Sequence, residues 1–327
     1  MRMGLTYDLQ RDPQDERQKE FDSPRTIETL DNALEELRHQ VVRLGNAYDL
    51  LAAPDRLAGL DLVFNIAEGL HGRCREAWVP TLLELFRVSY VGSDPLALSI
   101  GLDKAMTKRL AIASGVPTPR WITVEHSRSI PTVIPLAFPI MVKPRSQGSG
   151  VGIDEGAVVS DRLALVRRIE WLLERWPEPI LIEEFIPAGE LTVCVIGNDP
   201  PVAYPAIQRP IDPVTRLSCH VVKSTSSNWE TPLELSDELD AEARRIALAM
   251  FEVLGCRDLA RVDLRVDEQG RPWFLEINPL PSFDPEGSLG LLAEHLGLTY
   301  TQLIGRILQA AQSRISSSRN PQFYEFT

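Results

Sequence analysis

Two strand-like runs, Leu259-Ala-Arg-Val-Asp-Leu-Arg-Val266 and Arg271-Pro-Trp-Phe-Leu-Glu-Ile-Asn278, flank the stretch Asp267-Glu-Gln-Gly270. Asp and Gly bound that connection with turn chemistry, so the segment reads as a β-hairpin. Pairing Val266 with Arg271 sets Asp263 opposite Phe274 and Arg261 opposite Glu276. By the two-residue alternation of strands, Arg261, Asp263, Glu276 and Asn278 share one face. Ala260, Val262, Leu264, Val266, Trp273, Leu275 and Ile277 share the other, the expected core face. The polar face gathers two carboxylates, a carboxamide and a guanidinium. That is an all-oxygen ligand set of the kind Mg²⁺ prefers, beside a fixed cation suited to a developing anion. Taken alone, the same pattern also fits a half-exposed hairpin with an ordinary charged outer face.

Working outward, Phe138-Pro-Ile-Met-Val-Lys-Pro-Arg-Ser-Gln-Gly-Ser-Gly-Val-Gly-Ile153 places Gly148, Gly150 and Gly152 after a strand ending near Lys143. Bare N–H groups in such a loop can approach phosphates closely, and a lysine at the strand end suits a phosphate contact. The loop lacks the G-K-[ST] ending of a P-loop, and Ile153 stands where a dinucleotide fingerprint needs its last glycine. A glycine-rich hairpin turn is the competing reading. In Ile180-Leu-Ile-Glu-Glu-Phe-Ile-Pro-Ala-Gly-Glu190, an apolar strand runs into Glu183 and Glu184, then Phe185 and Ile186, with a further acid at Glu190. Carboxylates suit a ribose diol and an apolar slot suits adenine, although an edge strand with solvated acids has the same composition.

The remainder divides the chain. Residues 1–102 alternate short strands with helices, the signature of a parallel α/β unit. Ser23-Pro24 caps the helix expected to reach about Arg38, and Arg75 to Phe86 reads as another helix. An amphipathic helix spans Asp103 to Ser114 and ends at Gly115. Residues 103–188 then read as an α+β unit carrying the glycine-rich loop. Residues 189–312 contain an irregular Pro-rich stretch from Pro200 to Trp229, a helix near Ser236 to Leu254, the hairpin, and helices after Glu286. From Ser313 the serine-rich sequence reads as a mobile tail, residues 313–327.

Among the 327 residues, 34 Lys and Arg against 46 Asp and Glu give a net charge of -12. Such a surface repels phosphate backbones and anionic lipid, so neither a nucleic acid nor a membrane is an expected partner. No apolar run has a membrane-spanning length and the N-terminus lacks a signal-peptide core, so the expectation is a cytoplasmic protein. Cys74, Cys194, Cys219 and Cys256 form no C-x-x-C pair and read as reduced thiols. The five histidines contain no metal-type pair, and no nucleophile elbow occurs.

Taken together and in order, these pieces resemble the ATP-grasp superfamily, and within it the D-alanine:D-alanine ligases. The resemblance rests on Asp61-Leu-Val-Phe-Asn65, Tyr90-Val-Gly-Ser93, Asp103-Lys104 with Lys108, Pro139-Ile-Met-Val-Lys-Pro144 and Gln147 to Ile153. It continues through Ile182-Glu183-Glu184, Glu190-Leu-Thr-Val193, Arg261-Val-Asp263 and Glu276-Ile-Asn278. It implies an N-terminal parallel α/β domain followed by two ATP-grasp subdomains that clamp ATP. By similarity, Lys104 and Lys143 hold ATP phosphates, helped by the Gly148 and Gly150 loop. Glu183, Glu184, Phe185, Ile186 and Glu190 line the adenosine site, while Asp263, Glu276 and Asn278 hold Mg²⁺ or Mn²⁺. Arg261 stabilises the oxyanion, Ser149 lies near the reacting carboxylate, and Lys223 reaches the γ-phosphate. Ser288 and Leu289 grip the second amino acid's carboxylate. The implied reaction turns a carboxylate into an acyl phosphate that an amine attacks, as in peptidoglycan biosynthesis. The partners are small amino acids, and a homodimer is compatible with the family.

Four departures touch the substrate side. The family's lysine–tyrosine loop pair reads Lys223-Ser224, and Ser282 replaces a glycine. The histidine–glycine stretch reads Glu68-Gly-Leu-His71-Gly-Arg-Cys-Arg-Glu76. The glutamate that holds the first ammonium has no aligned equivalent, leaving Glu20, Asp22, Glu68 and Glu76 as candidates. A ligase for another amino acid or peptide therefore remains an alternative within the same chemistry. A non-catalytic ATP-binding module is the alternative from another class, and such a module has no need of the three metal-type residues.

Overall fold

The computed structural model describes residues 1–218 and 228–318, arranged around three sheets. The first is parallel throughout, with β1 (Arg2–Thr6), β2 (Gln40–Gly45), β3 (Leu62–Asn65) and β4 (Tyr90–Val91) in the order β2-β1-β3-β4. Helices α1 (Pro24–Glu36), α2 (Ala47–Ala52) and α3 (Trp78–Leu85) belong to this unit. The Ser23 hydroxyl accepts from the Thr26 N–H at 3.1 Å and Pro24 occupies the first helical position, as the capping signal predicts. The expected helix from Arg75 is instead a 3₁₀ turn over Arg75–Ala77 followed by α3. Pro80 explains the division, because it has no N–H to bond one turn back and is tolerated only in a helix's first turn.

Two helices lead onward, α4 (Pro95–Leu102) and α5 (Lys104–Ala113), N-capped by Asp94 and Asp103. The second sheet is antiparallel: β5 (Trp121–Val124), β6 (Ile140–Pro144), β7 (Val158–Val159) and β8 (Ile180–Glu184), in the order β5-β8-β6-β7, packed on α6 (Arg162–Arg175). The third sheet orders β9 (Gly189–Ile196), β10 (Val202–Ala203), β12 (Leu259–Val266) and β13 (Pro272–Asn278) as β10-β9-β12-β13, with β11 (Ile207–Arg209) also on β9. The stretch expected to be irregular from Pro200 thus contributes two short strands. Helix α7 (Asp237–Leu254) backs this sheet, capped by Ser236 and ended by Gly255 at φ 67°. Ala111 and Val116, at and just beyond the end of α5, pack in this third core, so α5 leans on the third sheet. No helix among the described residues is long and apolar enough to cross a membrane.

The hairpin forms with a different register. Val266 pairs with Pro272, Asp263 faces Glu276 and Arg261 faces Asn278, and the ladder slips between Asp263 and Leu264. Leu275 is the extra residue of this β-bulge. Phe274 and Ile277 therefore fill the core, whereas Trp273 and Leu275, expected there, are only half-buried. The four polar residues keep their common side because the bulge precedes both Glu276 and Asn278.

Helices α8 (Ser288–His295) and α9 (Tyr300–Ser318) return to the first sheet, where Leu292, Leu303, Ile304 and Ile307 join Met3, Leu5 and Leu30 in one core. The expected tail is helical as far as Ser318, since Ile315 packs on that core and Arg314 is anchored. The anchor is Asp258, fully buried between the first and third sheets. It accepts from the Gly92 N–H at 2.8 Å, Asn198 at 2.9 Å and Arg314 at 2.7 and 2.9 Å. Asp258 also holds a left-handed φ of 67°, which Asn tolerates better than Ala. Asp258→Ala should cost about 3 kcal/mol or more, because buried donors and a cation lose their acceptor. Thermal unfolding should show a midpoint several degrees lower for Asp258→Ala, with Asp258→Asn milder. Equal midpoints for both variants and the parent would show that Asp258 does not tie the sheets together.

Candidate active site

A cleft of about 410 Å³ opens between the second and third sheets, and a smaller pocket of about 40 Å³ adjoins it beneath the first sheet's loops. Lys143, Gly150, Glu183, Glu184, Phe185, Ile186, Glu190, Asp263 and Ser288 line the cleft. Glu20, Glu68 and Asn278 line the pocket. Lys104, Gly148, Ser149, Arg261, Glu276 and Ser282 line both, so the two spaces meet at these side chains.

Residues distant in sequence converge here because α5, β6, β8 and the hairpin all end at the cleft. Lys104 opens α5 and is held by the Gln147 carbonyl at 2.5 Å and by Glu276 at 3.2 Å. Glu183, on β8, lies between Lys108 at 2.7 Å and Lys143 at 2.6 Å. Burial acts to raise the Glu183 pKa, but the two ammoniums outweigh it and hold the carboxyl near 2. Burial likewise opposes the Glu276 anion, and Lys104, Lys143 and Arg261 bring its carboxyl to about 2. Burial acts against the Lys143 ammonium, yet Glu183 and Glu276 keep its pKa above the ordinary value. Both carboxylates are thus charged and all three lysines are fixed before any ligand arrives.

On the hairpin, Asp263 accepts from Arg261 at 2.7 Å, Thr192 at 2.6 Å and Asn278 at 3.2 Å. Glu190 pairs with Arg265 at 3.1 Å, and Arg265 stacks over the Phe185 ring at 5.1 Å. Glu184 is bound by Arg120 at the cleft rim. Asp103, at the head of α5, receives Arg145 through two bonds of 2.7 Å, tethering the glycine-rich loop to α5. In that loop Ser149 takes a left-handed φ of 47°, and the Gly148 N–H donates to Glu20. A Cβ at Gly148 would meet a Glu20 oxygen at 2.5 Å, so any side chain there would have to push the Glu20 carboxylate aside.

Other expected residues lie elsewhere. Asp22 is buried outside both spaces, where burial and the charges of Asp8 and Asp284 push its carboxyl pKa well up. Leu289 points its side chain into the first core, because the apolar face of α8 packs there. As the second residue of α8 it retains an N–H with no partner inside the helix. Lys223 and Ser224 lie outside the described residues. Cys194 and Cys256 are buried and Cys74 is exposed.

Several site residues have no counterpart among those expected. Arg209 on β11 donates to Ser288 at the head of α8 and to Thr192 at 3.4 Å. Arg75 bonds Glu20 at 2.7 Å and the Ser146 carbonyl at 2.9 Å. Ser218 lines the cleft, and its buried hydroxyl has no partner among the described residues. The sequence around Arg209, Ile207-Gln-Arg-Pro-Ile211, offered only a charged residue between apolar neighbours as a signal. Nothing local marks Arg75, whose partners are 55 and 71 positions away.

The donor set at the hairpin is hard oxygen: Asp263, Glu276 and Asn278. Among the described residues no three His, Cys, Asp or Glu side chains gather as a metal cage. Two carboxylates and a carboxamide fit an ion that takes its other ligands from phosphates and water, which is how Mg²⁺ binds.

Residues 110–309 match the family described as D-ala D-ala ligase C-terminus. An uncharacterised protein of Sinorhizobium fredii is 31% identical over 301 residues, covering 89% of this chain and 88% of that one. A D-alanine--D-alanine ligase of Marinomonas is 33% identical over 288 residues, covering 85% and 87%. The Bacillus anthracis D-alanine--D-alanine ligase, solved with ATP, superposes with a TM-score of 0.78 over 98% of this chain and all of that one at 24% identity, a likeness of fold. With a family match over most of the third and second sheets, relatives spanning the chain and a common fold, the chain belongs to the D-alanine:D-alanine ligase family of ATP-grasp enzymes and is an ATP-dependent ligase.

Proposed function

We propose that the chain joins the carboxylate of one amino acid to the amine of a second α-amino acid through an acyl phosphate. D-alanine is the first pair to test, given what the named relatives act on. The observation that carries this reading is the junction of two spaces at Lys104, Gly148, Ser149, Arg261, Glu276 and Ser282. The cleft has the size and lining for a nucleotide, and the small pocket, open to the cleft at the junction, has the polarity for a zwitterion that spans the two.

In this reading Lys104 and Lys143 hold phosphate oxygens at the cleft floor. Glu183 acts beneath them, fixing Lys143 by an ion pair, while the Phe185 and Ile186 segment forms the apolar slot for the base. Mg²⁺ held by Asp263, Glu276 and Asn278 would neutralise phosphate charge as the terminal phosphoryl group leaves ADP. A carboxylate oxygen of the first substrate forms the new bond to phosphorus as the bond to ADP breaks. Arg261 stands where the carbonyl oxygen becomes negative when the amine attacks, after which phosphate departs from carbon. Arg209, Ser288 and the free N–H groups heading α8 form an anion site for the second substrate's carboxylate. The glycine-rich loop, tied to Glu20, covers the junction and keeps water from the acyl phosphate.

An amino-acid panel assayed for phosphate release from ATP tests the reading, with release expected for at least one pair and its absence for all pairs contradicting it. Glu276→Gln should stay folded and lose on the order of 100-fold or more in kcat, since it removes several kcal/mol of transition-state stabilisation. Full turnover would take the hairpin out of the mechanism.

The buried Glu183 ion pairs also give a pH signature. The folded carboxyl titrates near 2 against an ordinary 4.5, so its stabilisation is complete above about 4.5 and is lost as pH falls towards 2. The difference in thermal midpoint between the parent and Glu183→Gln should be constant near neutrality and narrow across that acid window. A gap that persists unchanged to pH 3 would place the variant's defect elsewhere.

A further inference from the structure

The loop from Glu68 to Glu76 closes on itself. Gly69, at φ 71°, lies so near Arg75 that a Cβ there would meet the Arg75 carbonyl at 2.8 Å. Its N–H is tied down by Asp8 at 2.8 Å. Glu68 and Glu76, at the two ends of this closed loop, both line the small pocket, together with Lys104 and Arg261 at its junction with the cleft.

The other charges around that pocket already have partners. Lys104 is paired with Glu276 at 3.2 Å, Arg261 with Asp263 at 2.7 Å, and Glu20 with Arg75 at 2.7 Å. Glu20 additionally takes the Gly148 N–H, so it serves the loop and Arg75. Glu68 and Glu76 are left over, with no hydrogen bond or ion pair to either side chain among the described residues. Glu76 is only 8% exposed, so it is an unpartnered buried carboxylate aimed into a pocket. Arg75 and Lys104 are near enough to favour its anion, but each is already engaged. Without a ligand, burial, opposed by Arg75 and reinforced by Glu20, pushes the Glu76 carboxyl up to about 8. Burial and the Glu76 charge raise Glu68 as well. A bound ammonium favours ionisation of the acid beside it, and because two acids without a cation of their own line this one pocket, a single α-ammonium serves only one of them.

Resting on the ligase reading above, we propose that Glu68 and Glu76 form a dicarboxylate seat for a carboxylate substrate bearing two ammonium groups, a small diamino acid. The α-ammonium and the side-chain ammonium would each meet one acid, leaving the carboxylate directed at Arg261 and the cleft. Arg75 makes this division work by withdrawing Glu20 from the substrate and binding it to the base of the loop.

Titration calorimetry on the full chain, saturated with Mg²⁺ and a non-hydrolysable ATP analogue, tests it with 2,4-diaminobutyrate and alanine, each in both enantiomers. Diaminobutyrate of one hand should bind at least tenfold more tightly than alanine of that hand. Glu68→Gln, checked for folding by its thermal midpoint, should reduce that advantage to threefold or less, and Glu76→Gln provides a second variant. Equal or tighter binding of alanine to the parent chain would overturn the seat. So would a diaminobutyrate advantage that survives both substitutions. Phosphate release with alanine alone would leave the ligase reading standing while removing this one. Tight diaminobutyrate binding without release from any pair would do the reverse.

Discussion

The β-bulge at Leu275 is the constraint on which the site depends. A regular hairpin would alternate sides without interruption, so Phe274 could not share the core with Ile277 three residues on. One extra residue allows both, and it turns Leu275, Glu276 and Asn278 away from the core together. Glu276 then stands opposite Asp263 across the ladder, so two carboxylates converge from neighbouring strands at one level. The bulge also brings Glu276 to Lys104 on α5, which joins the third sheet to the helix that opens at the cleft.

Around that point the protein sets its charges in pairs before a ligand is present. Lys143 and Lys108 share Glu183, Lys104 shares Glu276, and Arg261 shares Asp263. Burying such groups costs desolvation energy, and their pairing offsets it while fixing each side chain in one place. A site so arranged needs little reorganisation when phosphate charge arrives, which is the basis of electrostatic preorganisation. The pair Glu20 and Arg75 extends the same arrangement to the small pocket, linking the first sheet's loops to Ser146 and Gly148 at the base and tip of the glycine-rich loop.

Much of this was legible in the sequence because period and capping are local. Ser23-Pro24 marked a helix start, Gly115 marked a helix end, and the alternation from Arg261 to Asp263 and at Glu276 and Asn278 placed four polar side chains together. What escaped is non-local or mimics regularity. Trp273 and Leu275 are apolar, so they imitated an unbroken alternation and concealed the bulge. Asp22 has the composition of a ligand, but only the packing of the first unit shows it shut away from the cavities. Arg75 and Arg209 acquire their roles from partners on other layers, and Arg314 turned a serine-rich tail into an anchored helix by reaching Asp258.

The central claim is that a substrate carboxylate accepts the terminal phosphoryl group of ATP. Its most direct test follows a carboxylate oxygen: the amino acid that best supports ATP turnover is labelled with ¹⁸O in its carboxylate, and the released phosphate is examined by mass spectrometry. An acyl phosphate transfers one labelled oxygen to phosphate for each amide formed. Phosphate carrying no label alongside amide formation would contradict the account.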